Sequence, residues 1–439
     1  MAGTGTQTSS SGIAESPCSH LPADILGMIS KRLDDAVGNL RLRSVCSTWR
    51  SAVPLSKRAL HISFKKGFPT FIDPNRRGHF SLSSSTVYLL RPAAGAAEGN
   101  DCQIFPWWLL RVEGKDGFRK FRPLSPFSRI FTVLMKDHFP KGFPRGVNLL
   151  DVQIHEIRKA YSLDFVEDGK KIENNLLQTR ARKVVVSSSQ WSANSGDGEG
   201  FYAVLGLFRA KLGFIKSNDE KWSQIEDTGR CVYDDILYSE VKGVFYAVDI
   251  SGRLVMIDRD LKAKEVVYGF GFSGCQKRHL IESNGDLFMV VEYDEPELYM
   301  SDGEDAFEID DYSFKYTNLE FPLHLKVFKL SKNEWEYVPS LGDQVFFIGD
   351  DCSYVVSAQR FGLKGNCVYF TADDFMDENE SDLTIGNICP DAGVFCLEDG
   401  RCASLASSPE HAQLFLNCPV WLKSPPKTKS KAKRKGSKK

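Results

Sequence analysis

The feature that most constrains the fold is a strand-like segment that recurs about every 40 to 50 residues beyond residue 60, the period of a four-stranded propeller blade. These β-branched and aromatic runs begin at Trp107, Val152, Phe201, Val244, Leu287, Leu325 and Cys367. Turns such as Ser251-Gly252 and Asn284-Gly285 separate strands that reverse tightly. Radial closure removes the exposed edges that an open sheet of this size would have to protect. The sequence therefore predicts a mainly β fold over residues 61–422, a β-propeller with six or seven blades.

Residues 20–60 show apolar positions at helical spacing instead, with Pro22 in a first turn where its missing N–H costs no hydrogen bond. The two apolar stripes are Ile25, Leu26, Ile29 and Leu33, and Leu42, Val45, Cys46 and Trp49. They predict a module of two to three helices over residues 17–60. So few helices cannot bury both sides of their stripes, and we expect a partner or the following domain to complete the core.

Both ends of the chain have compositions that disfavour packing. Residues 1–16 are rich in Gly, Ser and Thr, and residues 423–439 hold nine Lys or Arg and no acid. We expect a flexible leader and a disordered tail. The net charge of the whole chain is −1, so the chain without this tail stands at −10. A body of that sign has no general attraction for nucleic acid, and nucleic-acid binding by the folded part is disfavoured.

Two acidic segments interrupt the strand pattern. Residues 294–311 contain nine Asp or Glu, and residues 373–382 contain six. Both are expected to be exposed loops, whose simplest role is to keep the domain soluble and whose alternative role is to bind a basic partner.

The 11 cysteines are scattered, without a CxxC pair or the dense even spacing of a secreted disulfide scaffold. The N-terminus has neither the basic nor the apolar part of a signal peptide, and no stretch approaches 18 apolar residues. These observations predict a soluble protein of the cytoplasm or nucleus with no membrane association.

Two motifs near the N-terminus closely resemble an F-box: Leu21-Pro22 opening a helix, and the run from Arg41 to Arg50 that reads RLRSVCSTWR. In F-box proteins this module docks on the Skp adaptor of a cullin-RING ubiquitin ligase. The remainder resembles the plant F-box family with a KIB-type, kelch-like β-propeller. The matching segments are residues 234–258, 280–293, 327–370 and 391–400. The acidic insertion around 301–311 and the basic tail depart from that family.

The resemblance implies that a few apolar side chains bind the Skp adaptor. The candidates are Leu21, Pro22, Ile25, Ile29, Leu40, Val45, Cys46 and Trp49. Trp49 is the first choice as an anchor because an indole buries the most area. The alternative is that Val45 and Trp49 are internal core of the helical module. Cys46 is a small buried hydrophobe in both interpretations.

Signals for catalysis and cofactors are weak. Residues 269–274 match GxGxxG, but the sequence that follows is strand-like, so no helix N-terminus would hold a pyrophosphate. A tight loop between blades is the simpler interpretation. The His residues are isolated, and Cys389, Cys396 and Cys402 are not spaced as zinc ligands. We expect no cofactor, no metal and no catalytic residue. Catalysis by paired carboxylates on facing propeller loops stays an alternative.

The basic tail contains KAKRK, in which Lys431, Lys433, Arg434 and Lys435 resemble a nuclear import signal. Weak nonspecific binding to RNA or DNA and a purely solubilising role are the alternatives.

The expected function is substrate recognition in an SCF-type (Skp-cullin-F-box) ligase, with the F-box on the adaptor and the propeller on an unknown protein target. Two alternatives stay open: a propeller that binds a ligand, as a lectin or an enzyme does, and a scaffold that acts without a ligase. The sequence names no substrate and no binding face.

Overall fold

The computed structural model describes residues 21–33, 36–53, 62–64, 79–93, 107–115, 120–127, 152–167, 170–171, 181–187, 202–208, 211–216, 219, 222–225, 227, 232–258, 261–269, 275–294, 323–371, 392–405, 411 and 414–415. They belong to two compact units. The helical unit is residues 1–59 with 115–120, and the strand unit is residues 60–114 with 121–439. The first acidic segment, from residue 295 on, and the second, from residue 373 on, lie outside the described residues.

The helical unit contains the predicted helices as α1 (Ala23–Arg32), α2 (Ala36–Ser44) and α3 (Ser47–Ala52). Their buried core consists of Leu26, Trp49 and Val53, with Leu42 packed beside it. The unit therefore closes a small core of its own.

The strand unit is built from four sheets. Sheet I contains β1 (Ile62–Phe64), β2 (His79–Pro92), β3 (Trp108–Lys115), β4 (Lys120–Leu124), β5 (Val152–Glu167), β6 (Lys170–Lys171), β7 (Lys183–Val186), β8 (Ala203–Phe208), β9 (Lys211–Lys216) and β10 (Ser223–Gln224). Its main order is β10-β9-β8-β7-β5-β2-β3-β4, with β1 on β2 and β6 on β5.

Sheets II and III each have four antiparallel strands in chain order, the arrangement of a propeller blade. Sheet II contains β11 (Tyr233–Ser239), β12 (Val244–Asp249), β13 (Leu254–Ile257) and β14 (Ala263–Val267). Sheet III contains β15 (Cys275–Ser283), β16 (Asp286–Asp294), β17 (Leu323–Ser331) and β18 (Glu334–Tyr337). The turn between β15 and β16 is the predicted hairpin: Asn284 and Gly285 have φ of 51° and 85°, which Asn and Gly tolerate.

Sheet IV has the order β20-β19-β21-β22-β23, in which β19 and β21 are parallel. Its elements are β19 (Gln344–Phe347), β20 (Tyr354–Ser357), the short helix α4 (Ala358–Phe361), β21 (Cys367–Thr371), β22 (Ala392–Cys396) and β23 (Arg401–Ser404). The seven recurrent runs predicted from the sequence overlap β3, β5, β8, β12, β16, β17 and β21.

Five strands of the strand unit form a ring, two from sheet I and one from each of the other sheets. Strand β5 contacts β7, β7 contacts β11, β11 contacts β15, β15 contacts β20, and β20 returns to β5. Hydrophobic clusters follow the same order, from sheet I to II, II to III, III to IV and IV back to I. This arrangement confirms the predicted mainly β propeller. The inner ring has five strands within the described part of the chain, and the total of six or seven blades stays a prediction.

The last described residues take part in the closure of the ring. Leu109 of β3 donates its N–H to the carbonyl of Leu414 at 2.9 Å. Phe415 stacks on Phe127 with the ring centroids 5.2 Å apart. Leu414 and Phe415 are therefore held by residues from the first sheet of the unit.

Candidate functional site

The packing of α2 against α3 is fixed by local hydrogen bonds. The guanidinium of Arg43 donates to the carbonyl of Arg50 at 2.8 Å, and Arg50 donates back to the carbonyl of Arg43 at 3.1 Å. Cys46 precedes α3, and its sulfur accepts the Trp49 N–H at 3.4 Å as an N-terminal cap. Cys46 is thus positioned by a backbone contact of its own helix.

Trp49, the predicted anchor, is only 8% exposed and packs with Leu26 and Val53. The structure thus places it as the alternative did, in the core of the helical unit. Its indole supplies much of the apolar area that three short helices need to form a core.

Val45 differs from Trp49 although only four residues separate them, since Val45 is 59% exposed. Pro22 is also exposed. The remaining candidates are partly buried: Leu21, Ile25, Ile29, Leu40 and Cys46. Val45 follows the end of α2, where the short segment before α3 holds its side chain outward. It is the most exposed apolar member of the predicted docking set.

Met28 was not among the sequence candidates, yet it is 52% exposed on α1. It lies three residues after Ile25 and one before Ile29, so these side chains share one face of the helix. The same spacing is visible in the sequence and was the available signal. These residues therefore form an apolar strip along α1, of which Met28 is exposed while Ile25 and Ile29 are partly buried.

The strand unit encloses two cavities of about 440 and 460 Å³ inside the ring of inner strands. Both are lined by Ile157 and Arg158 of β5, Leu237 of β11 and Ser353 before β20. The hydroxyl of Ser353 and the side-chain oxygen of Gln344 are buried there without a hydrogen-bond partner among the described residues. A water or a polar group of a bound molecule would complete them.

The carboxylates that line these cavities already have partners. Asp351 pairs with Arg111, Asp343 accepts from Ser357 at 2.6 Å, and Glu282 accepts from Ser239. Glu156 lies 3.6 Å from Lys159, and Glu240 is engaged as well. A pair of unengaged acids facing each other, which glycoside hydrolysis would need, is not found among the residues that the structure describes.

Four buried or half-buried ion pairs join neighbouring sheets, and we call them the charge belt: Arg111–Asp351, Lys277–Asp350, Arg278–Asp234 and Lys183–Asp235. Arg111 and Asp351 share two hydrogen bonds of 2.7 and 2.9 Å. Lys183 and Asp235 are 2.8 Å apart, and Arg278 and Asp234 are 3.1 Å apart.

The charge belt makes a complete circuit of the sheets. Its pairs link sheet I to IV, IV to III, III to II, and II back to I. Six of its residues are sequence neighbours of like charge: the acids at 234–235 and 350–351 and the bases at 277–278. Sequence reasoning missed it because each dipeptide by itself resembles a solvated surface, and only the circular order brings opposite charges together.

Burial and pairing compete within the charge belt. The pKa of Asp234 is raised above its usual range because burial outweighs the opposing effect of Arg278. Burial also acts to raise the pKa of Asp350, but the charge of Lys277 prevails and lowers it. Burial acts to lower the pKa of Lys277, but the attraction of Asp350 and Glu292 together raises it. Of the two carboxyls Asp234 and Asp350, Asp234 is therefore the more easily protonated.

The GxGxxG match at residues 269–274 is followed by a strand and not by a helix. Strand β15 begins at Cys275, directly after the GxGxxG match, so a strand follows the motif as expected. The described residues contain no group of three or more His, Cys, Asp or Glu arranged to hold a metal ion. None of the helices among them has the length and apolar character needed to cross a membrane. The nuclear import candidates Lys431, Lys433, Arg434 and Lys435 lie outside the described residues.

Comparison with known proteins places the strand unit in a family. The model of the KIB1-4 beta-propeller family matches residues 79–395. An F-box protein of Arabidopsis thaliana, At5g60060, is 30% identical over 402 residues, which cover 88% of this chain and 94% of that protein.

Two further Arabidopsis thaliana relatives match over most of their length. F-box protein SKIP23 is 29% identical over 416 residues, or 92% of this chain and 95% of that protein. F-box/kelch-repeat protein At1g64840 is 24% identical over 361 residues, or 80% of this chain and 84% of that protein. Proteins named as F-box proteins thus match this chain over most of its length.

Proposed function

This chain belongs to the plant F-box proteins with a KIB1-4 β-propeller, and on that basis we propose that it is a substrate-recognition subunit of an SCF-type ubiquitin ligase. The helical unit docks on a Skp adaptor, and the propeller holds a protein target. The adaptor in turn connects the chain to a cullin and its RING subunit.

The observation that carries this proposal is the apolar strip of the helical unit. Its core is filled by Leu26, Trp49 and Val53, while Met28 and Val45 stay more than half exposed. Apolar surface concentrated on so small a module supports a protein partner, because water contact with it is unfavourable.

The role we propose is one of proximity. A target bound to the propeller has its lysines held near the ubiquitin carrier of the ligase, which raises their effective concentration. No group of this chain needs to enter the transfer reaction, so we propose a non-catalytic subunit. The engaged state of the cavity carboxylates supports this view over a glycosidase.

A propeller that binds a small polar ligand is the second candidate. The two cavities and the unpaired oxygens of Ser353 and Gln344 favour it. Ligand binding that persists in a chain without residues 18–60 would support it independently of the ligase.

The site of action we propose is the nucleus or the cytoplasm, as expected for a subunit of this ligase class. Import would depend on the basic cluster at 431–435. If a fluorescent fusion stays nuclear after these basic residues are substituted, the tail is not the import signal.

The docking proposal predicts that Val45→Asp weakens binding to a plant Skp adaptor about 30-fold to several hundred-fold. The physical reason is that a buried charge replaces an apolar contact worth about 2 to 4 kcal/mol at an interface centre. The measurement is a Kd by calorimetry with purified full-length protein. Trp49 is unsuitable for this test, since its loss would unfold the unit.

The matched control is Val241→Asp, because Val241 is a 70% exposed valine in the turn between β11 and β12. It should leave the adaptor affinity unchanged. Equal affinities for wild type and Val45→Asp, with helical circular dichroism intact, would contradict the proposed surface.

A further inference from the structure

Two cysteines face each other across neighbouring strands of sheet IV. Cys367 of β21 and Cys396 of β22 are direct partners in the antiparallel register. The adjacent pair is the hydrogen-bonded one, since the Leu397 N–H donates to the Asn366 carbonyl at 3.0 Å. The cysteines therefore occupy a non-hydrogen-bonded position, where opposing Cα atoms lie about 4.5 Å apart. A disulfide spans Cα separations of about 4.4 to 6.8 Å, so this position accepts one without movement of the strands.

The two sulfur atoms are already in contact. Their Sγ atoms are 3.3 Å apart, within hydrogen-bond distance for sulfur. Both residues are buried, Cys367 completely and Cys396 to all but 8%. Cys367 also lies 3.3 Å from the carbonyl of Gly365. The backbone thus holds both thiols in the rotamers that bring their sulfurs together.

Electrostatics make Cys396 the nucleophile of the pair. The hydrogen bond from the Cys367 thiol, assisted by the charge of Lys364, lowers the pKa of Cys396 to about 7 although burial opposes it. The same hydrogen bond and burial raise the pKa of Cys367. The charge of Asp399 acts against the Cys396 thiolate, and Lys364 is the cation that favours it. The thiolate is the reactive form of cysteine, so Cys396 is the sulfur that attacks first.

We propose that Cys367 and Cys396 are an oxidative modification site, which closes to a cross-strand disulfide on reaction with hydrogen peroxide. The Cys396 thiolate attacks one peroxide oxygen, so an S–O bond forms, the O–O bond breaks and hydroxide leaves. The Cys367 sulfur then attacks the sulfenic sulfur, and the S–S bond forms as the S–O bond breaks. The departing hydroxide takes the Cys367 proton. Two thiols are oxidised, and one peroxide is reduced to two waters.

Neighbouring thiols do not share these properties. Burial raises the pKa of Cys352, and burial together with Cys396 raises the pKa of Cys402 to about 12. Cys402 faces Phe395 across β22 and β23 instead of another cysteine. Neither Cys352 nor Cys402 therefore combines a facing cysteine with a lowered pKa, as Cys396 does.

The site lies beside the wall of the central cavities. Asn366 precedes Cys367, donates its N–H to the Gln344 carbonyl at 3.0 Å, and accepts the Leu341 N–H at 2.7 Å. Gln344 and Leu341 both line a cavity. A disulfide here ties β21 to β22 at the corner that carries this wall, and we expect it to raise the Tm of the propeller by several degrees.

The test uses the purified full-length protein, titrated with hydrogen peroxide, quenched in acid, alkylated under denaturing conditions and mapped by mass spectrometry. A peptide linked through Cys367 and Cys396 is expected, and dithiothreitol should remove it. The rate should rise with pH through about 7 and fall several-fold in Lys364→Gln. The variant Cys367→Ala should leave a sulfenic acid on Cys396 that dimedone traps, formed more slowly because the hydrogen bond that lowers the pKa of Cys396 is lost. The variant Cys396→Ala should leave Cys367 reduced.

Cys402→Ala is the matched control, since it removes a thiol beside Cys396 without touching the pair, and the linked peptide should form at the wild-type rate. Near-UV circular dichroism reports whether each variant is folded. Recovery of both cysteines as alkylated thiols from oxidised wild type would overturn the proposal, as would a linkage from Cys396 to Cys402.

Discussion

The guanidinium of Arg111 is fully buried where sheet IV meets sheet I, and Asp351 is its partner. Its Nε donates to the Ser85 hydroxyl at 2.8 Å, so Asp351 and Ser85 together use both ends of the guanidinium. If a different sheet packed at this junction, the buried charge of Arg111 would have no opposite charge beside it. The pair therefore contributes to the choice of which sheets meet, more than to net stability.

We expect Arg111→Met to lower the free energy of unfolding by about 3 to 5 kcal/mol, because it leaves the largely buried carboxylate of Asp351 without an opposite charge. The double variant Arg111→Met/Asp351→Leu should recover part of that loss. Urea unfolding followed by tryptophan fluorescence measures both.

The exposed pair of Lys329 and Asp286 provides the comparison, since these side chains are 39% and 49% accessible. Lys329→Met should cost less than about 1 kcal/mol. A loss of equal size in the two single variants would show that burial of the Arg111 pair does not matter.

At the scale of elements, Gly349 follows β19 where sheet IV meets the Phe127 segment of sheet I. A Cβ at this position would lie 2.1 Å from the carbonyl oxygen of Phe127. Backbone atoms cannot rotate out of the way as a side chain does. Glycine is therefore required here for contact between sheets rather than for a turn.

Gly349→Asn should destabilise the propeller by about 1 to 3 kcal/mol, the usual cost of overpacking. The control is Gly342→Asn, a left-handed position with φ of 58° and no neighbour within 4 Å of a Cβ. Asn tolerates that conformation, so its cost should be small. The urea midpoints of the two variants measure this difference. A lower midpoint for Gly342→Asn than for Gly349→Asn would contradict the close approach of Gly349 to Phe127.

Element type was largely predictable from the sequence, and the contacts of particular residues were not. The run at Val244 is β12, and the pattern from Ile25 to Leu33 gives α1, because both periodicities are local. Trp49 shows the limit, since its size suits a core and an interface equally and only the packed helices place it inside. The charge belt depends on residues as far apart as Arg111 and Asp351, which no local pattern can pair.

At the scale of the whole molecule, the strand unit depends on its last described residues to close. His411 hydrogen bonds the Tyr369 hydroxyl at 2.7 Å, and Leu414 pairs with Leu109 of β3. Phe415 contacts both Phe127 and Tyr369. This segment therefore joins the first sheet to the last.

Truncation after residue 405 should lower the Tm of the propeller by several degrees or more, because it removes the aromatic and hydrogen-bond contacts of residues 411–415. Truncation after residue 422 keeps them and removes only the basic tail, so its Tm should match the wild type. Scanning calorimetry of the two proteins tests this. Similar melting of both truncations would mean that closure does not require residues 411–415.

Closure by the last residues also bears on synthesis. At about 5 to 20 residues per second, the ribosome needs tens of seconds to progress from β3 to Leu414. Until Phe347 and Tyr369 have been synthesised, the apolar side of sheet I that they cover lacks these partners. A propeller whose ring is closed by its last residues therefore exposes apolar surface during translation, and we expect a chaperone to cover it.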